Sequence, residues 1–172
     1  DAPTHHVVIE DLHMTGLGGD QQIVGVSTKS PAWDWVIRGN TIVGAGTGLY
    51  LGNSDGRQPF VRGLVELNTV LDPIGYAMQI KHQTGRDGIP GIPAEAETVI
   101  RYNVFSKSSG ASSGSPRPNL LLGHFPTSGA GANDRYLVYG NFFYDNPTEM
   151  LMQTEGNLAD RKSTRLNSSH YS

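Results

Sequence analysis

Val36-Ile37-Arg38-Gly39-Asn40-Thr41-Ile42 is a phrase that the chain repeats. It returns as Leu64-Val65-Glu66-Leu67-Asn68-Thr69-Val70, Val99-Ile100-Arg101-Tyr102-Asn103-Val104-Phe105 and Leu137-Val138-Tyr139-Gly140-Asn141-Phe142-Phe143. Each copy holds two apolar residues, two variable ones, an asparagine, one further residue and another apolar one. Asparagine at a fixed place between short β-rich runs marks each copy as one rung of a stack, with side-chain amides hydrogen-bonding from rung to rung.

Around Asn40 the coil reads clearly. Val36 to Arg38 makes a strand, Asn40 the bend, Thr41 to Val43 a second strand, Gly44 to Gly48 a glycine-rich turn and Leu49-Tyr50-Leu51 a third strand. The next coil runs from Val61 to His82, with Gly75 to Lys81 in the third place. His5 to Gly16 is a degenerate first copy: aligned on Val8-Ile9, it has Leu12 where the later copies have asparagine. Gln21 to Val26 is read as its second strand and Ser27 to Ala32 as a turn. The spacing between ladder asparagines grows along the chain, and the surplus falls into Gly85 to Ala96, Ser106 to Pro118 and Thr127 to Asp134. Such insertions carry function more often than rungs do. The Ser/Gly/Pro run reads equally as a spacer.

Parallel strands lie about 4.8 Å apart, so equivalent residues of successive coils form rows. Val36, Leu64, Val99 and Leu137 make one row, and Ile42, Val70, Phe105 and Phe143 another; these are read as the core. Arg38, Glu66, Arg101 and Tyr139 form an outward row in which an acid lies between two bases.

These copies resemble right-handed parallel β-helix repeat proteins of the asparagine-ladder type, from Val8 to about Leu158. The resemblance implies an all-β, single-stranded right-handed parallel β-helix, a solenoid of about five coils. A propeller or a sandwich would need hairpins with Asn-Gly or Asp-Gly turns. Here the only Asp-Gly pairs, Asp55-Gly56 and Asp87-Gly88, lie between coils. Asp160 to His170, DRKSTRLNSSH, resembles a translated frame of a common sequencing adapter. Residues 1–159 are therefore expected to be a β-helix fragment, and 160–172 a non-native, disordered tail. Uncapped ends would expose sheet edges and favour self-association.

The 172 residues carry 13 basic and 16 acidic side chains, a net charge of -3, and no cysteine. No basic stripe points to nucleic acid, and no apolar run reaches the ~18 residues of a membrane span. Thiolate metal sites and disulfides are excluded. No metal and no cofactor is expected.

Aligning the third strands on their final apolar residue puts Leu51, Ile80, Leu122 and Met152 in one row. The next row is Gly52, Lys81, Gly123 and Gln153, and the one after it Asn53, His82, His124 and Thr154. Two histidines from neighbouring coils thus meet beside a lysine and an asparagine, with Asp55, Arg86 and Asp87 on the following loops. The same row also reads as a plain surface closing the sheet edge, and two histidines without a third ligand do not make a typical metal site.

Polysaccharide-degrading β-helices are similar in carrying a sugar groove along one sheet. That resemblance implies β-elimination of a uronic acid polymer, in which a base removes the proton next to the carboxylate and cations stabilise the anion. Lys81 or His82 is the candidate base, with His124 or Arg86 as acid or charge stabiliser. Asn53, Asp55, Tyr76, Asp87 and Gln153 are candidate substrate contacts, and Trp33, Trp35 and Phe125 candidate stacking surfaces. Gly123 stands where such a lyase strand would present arginine. Hydrolysis would need two facing carboxylates, for which only Asp55 and Asp87 offer themselves. The reading is a carbohydrate-active, extracytoplasmic protein that binds or cleaves an acidic polysaccharide, as a polysaccharide lyase or glycoside hydrolase if an enzyme. The alternative is a non-catalytic structural or adhesive solenoid.

Overall fold

A computed structural model describes residues 2–108 and 116–155, and beyond them the backbone of Leu158–Asp160 and Arg165–Asn167. Every copy of the phrase becomes two short strands joined at its asparagine. Val8–Glu10, Val36–Arg38, Leu64–Glu66, Glu97–Arg101, Arg135–Tyr139 and Leu158–Asp160 stack into the first sheet. His13–Met14, Thr41–Val43, Thr69–Leu71, Val104–Ser106, Phe142–Tyr144 and Arg165–Asn167 form the second. The third contains Val24–Ser27, Thr47–Leu51, Met78–Ile80, Leu120–Leu122 and Met152–Thr154. Among the described residues every strand pairing is parallel and there is no helix. The chain is a parallel β-helix. Residues 161–164 and 168–172 of the expected tail, and 109–115 of the Ser/Gly/Pro run, lie outside the described residues.

The bend is made by the residue before each asparagine. Gly39, Leu67, Tyr102 and Gly140 all have left-handed backbone, with φ of 65°, 57°, 55° and 65°. For leucine and tyrosine this costs roughly 1 kcal/mol or more. Their side chains turn out to solvent at 58% and 51% exposure, and the amide beside them recovers the cost. Asn40 donates Nδ2–H to Asn68 Oδ1 (2.9 Å), Asn68 to Asn103 (3.0 Å) and Asn103 to Asn141 (2.8 Å). Each Oδ1 also accepts the backbone N–H of the preceding rung, Asn40 from Leu12 and Asn68 from Asn40, both at 3.1 Å. Leu12 therefore occupies the asparagine position of the first coil, as its alignment predicts.

The register of the rows follows the repeat, but one core assignment is corrected. Ile42, Val70, Phe105 and Phe143 are fully buried. Val36, Leu64, Val99 and Leu137 stack as predicted, yet they are only half-buried on the outer face. The first sheet instead buries Ile37, Val65, Ile100 and Val138. Side chains alternate along a strand, so an outward Arg38 forces Val36 outward and Ile37 inward. In the outward charge row Glu66 pairs with Arg101 at 2.6 Å, and Arg38 turns to Glu10 at 2.7 Å.

Three further differences appear. Val24–Ser27 pairs with Thr47–Leu51 and so belongs to the third sheet; the second strand of the first coil is His13–Met14. Met152 pairs with Leu120, and Leu122 with Thr154, a slide of two residues from the predicted alignment. A two-residue slide keeps the inward and outward faces in place, so hydrophobic pattern alone does not forbid it. Part of the expected turn before Trp33 is a strand: Thr4–His5, Ala32–Trp33 and Phe60–Val61 form a short fourth sheet at the corner leading back to the first.

Candidate functional site

The third sheet sets the site. Ile80 lies opposite Leu51 and Leu122, which brings the residues after them together. His82 and His124 stack with ring centroids 5.1 Å apart and 26° between planes. His82 is half-buried and His124 exposed. A Cβ at Gly56 would stand 2.8 Å from the His82 ring, and one at Gly123 would overlap the backbone of His82. Position 123 therefore has no room for any side chain, and this close approach explains glycine at the place where the resemblance called for arginine. His124 Nδ1 lies 3.1 Å from the carbonyl of Phe125.

Lys81 points elsewhere. Its Nζ lies 5.2 Å from the centre of the Tyr50 ring, on the outer face of the sheet, while Arg117 lies 5.5 Å from the Tyr76 ring. Between them is a cleft of about 120 Å³ lined by Tyr50, Tyr76, Gln79, Lys81 and Arg117 together with Gln21, Gln22, Thr47 and Ser54. Burial holds the Lys81 ammonium below its ordinary pKa, and the charge of Arg117 adds to the effect. Neither Lys81 nor Arg117 forms a carboxylate ion pair among the described residues. The Tyr50 hydroxyl is hydrogen-bonded to Ser54 Oγ at 2.7 Å, and Thr47 donates to the Gln21 carbonyl at 3.0 Å. Beneath the cleft, the buried Lys107 ammonium donates to the carbonyls of Gly75 (2.9 Å) and Arg117 (3.2 Å) and so ties its two walls together.

Of the residues predicted from sequence, Lys81 and Tyr76 meet in this cleft, and His82 and His124 meet in their own pair. Arg86 serves another purpose. Its guanidinium is 1% exposed and grips Asp134 through two bonds of 2.6 and 2.9 Å, while Nε donates to the Pro93 carbonyl. Buried and fully engaged, it holds the loop together and faces no solvent. Asp55 accepts from the backbone of Arg57, and Asp87 from that of Ala130, each securing a loop. Asn53 accepts from Ser54 N–H. Gln153 pairs with Leu121 and not with Gly123. Trp33, Trp35 and Phe125 are buried at 4%, 9% and 7% exposure, which removes them as sugar platforms. Among the described residues no three His, Asp or Glu side chains gather as a metal site would require.

The residues missed are Tyr50, Gln79 and Arg117. Tyr50 and Gln79 share one register position, directly before the Leu51–Ile80 row, and the outward parity of that row was the available signal. Arg117 follows the Ser/Gly/Pro run, beyond the reach of the repeat. Compared with protein-family models, curated proteins and solved structures, the chain matches none of them.

Proposed function

We propose that this β-helix binds an acidic polysaccharide, seating one sugar acid in the cleft of the third sheet. The observation that carries this reading is the pairing of two cations, Lys81 and Arg117, with two tyrosine rings, Tyr50 and Tyr76, around a single cleft. Tyrosine faces accept the apolar face of a pyranose ring, and partly desolvated cations attract its carboxylate more strongly than exposed ones do. Titration calorimetry with polygalacturonate and neutral dextran tests it. The acidic polymer should bind and dextran should not; Lys81→Ala and Arg117→Ala should each weaken binding about tenfold, equivalent to about 1.4 kcal/mol. Equal binding of the two polymers, or none, refutes the reading.

A second reading adds cleavage, because a lysine held below its ordinary pKa suits proton abstraction beside a uronate carboxylate, with Arg117 as the charge stabiliser. Unsaturated product, followed by its absorbance and lost in Lys81→Ala, would identify a lyase. Binding without product leaves a carbohydrate-binding solenoid.

A further inference from the structure

Within the same cleft one buried polar atom lacks a partner among the described residues. Gln79 lies on the outward row of the third sheet between Tyr50 and Leu121. It is nevertheless only 3% exposed, and it lines the cleft. Its Oε1 is buried with no hydrogen-bond partner among the described residues. A buried acceptor left unmade is costly, and a donor supplied by a ligand recovers that cost. The Tyr50 and Ser54 hydroxyls bond each other, and Thr47 donates to the Gln21 carbonyl. Beside two cationic donors, Lys81 and Arg117, the cleft thus presents a buried acceptor that lacks a partner among the described residues.

We propose that the Gln79 carbonyl is a specificity-determining acceptor, selecting ligands that carry a hydroxyl beside the carboxylate over ligands that present anionic oxygens alone. The inference rests on the anionic-sugar reading of the cleft and adds to it a demand that charge attraction does not make. A site built to hydrogen-bond a ligand hydroxyl rejects the analogue lacking it, because its own polar group is then left unpaired.

The test compares galacturonate with tetrahydropyran-2-carboxylate, which keeps the ring oxygen and the carboxylate but has no hydroxyl. Binding of each to the whole chain is measured by calorimetry, for the wild type and for Gln79→Leu. The wild type should prefer galacturonate by at least about tenfold, and Gln79→Leu should bind the two acids about equally. Its melting temperature should be unchanged or raised, since the substitution removes an unsatisfied group. Equal wild-type affinities, or a preference that survives Gln79→Leu, overturn the inference and leave the anionic site standing. Failure of the wild type to bind either acid or any polyuronate overturns the site itself, and the inference with it.

Discussion

Two corners of the solenoid solve one problem in different ways. Where the first sheet bends into the second, the amides of Asn40, Asn68, Asn103 and Asn141 are buried, and these neutral side chains satisfy the backbone and one another. Asn68 donates to the Ile37 carbonyl and to Asn103, and accepts from both nitrogens of Asn40. Where the third sheet returns to the first, the later coils carry loops in place of the short corner strands. There a pair of charges is buried, the Arg86 and Asp134 side chains being 1% and 2% exposed. The ladder spreads its hydrogen bonds over identical rungs, each supported by its neighbours. The loop corner concentrates them in one carboxylate, which holds Arg86 by two bonds and the Ala96 N–H by a third of 2.7 Å.

The comparison breaks most sharply at Asp134. Asp134→Ala leaves a guanidinium buried without its carboxylate and should cost about 3–5 kcal/mol by denaturant titration. The double variant Arg86→Met/Asp134→Leu should recover most of that loss, because the desolvation of both charges disappears with them. Asn68→Leu comes next. It strands the Asn40 backbone N–H, the Asn40 amide and the Ile37 carbonyl, for about 2–3 kcal/mol in the same measurement. An Asp134→Ala loss smaller than that of Asn68→Leu would show that the loop corner is the more tolerant of the two.

The same contrast explains what the residues could announce. The asparagine ladder was legible because one residue type recurs at one register position, and a parallel stack turns register into contact. Register also brought His82 to His124, and placed Lys81 on the third sheet. Arg86 could not be read correctly: its partner lies 48 residues away, in a loop with no repeat, and a lone arginine beside a candidate site looks like a binding residue. The core of the first sheet was misplaced by one position because both Val36 and Ile37 are apolar, and only the outward Arg38 settles the parity. Gln79 was hidden because its burial comes from the covering of an outer face, which strand alternation does not describe.

Lys107 sharpens the comparison with a smaller effect, since its buried ammonium is held by carbonyls. Burial, assisted by the charge of Arg117, pushes its pKa down from 10.5 to about 8. Between those values the unfolded chain binds more protons than the folded one, so this group makes stability rise with pH across that window. Below about pH 8 the penalty of burying the charge is present in full. Lys107→Met, of similar volume, should remove the rise. Melts of the two proteins across this range should differ in slope, and parallel curves would show that Lys107 does not titrate there.

The smallest effect belongs to the residue next to Asp134 in the chain. Arg135 donates to Glu97 at 2.9 Å, close to the length of the Arg86–Asp134 contacts, and it too joins neighbouring coils. Its side chain is 61% exposed and that of Glu97 39%. Water competes for both charges, and salt screens what remains. Glu97→Ala should therefore move stability by no more than about 0.5 kcal/mol, and still less in high salt. Asp134→Ala should keep its full cost at any ionic strength. Two arginine–carboxylate pairs of like length, anchored at adjacent residues, thus differ mainly in solvent access. A loss at Glu97 approaching that at Asp134 would mean that contact geometry, and not burial, sets the strength of ion pairs on this scaffold.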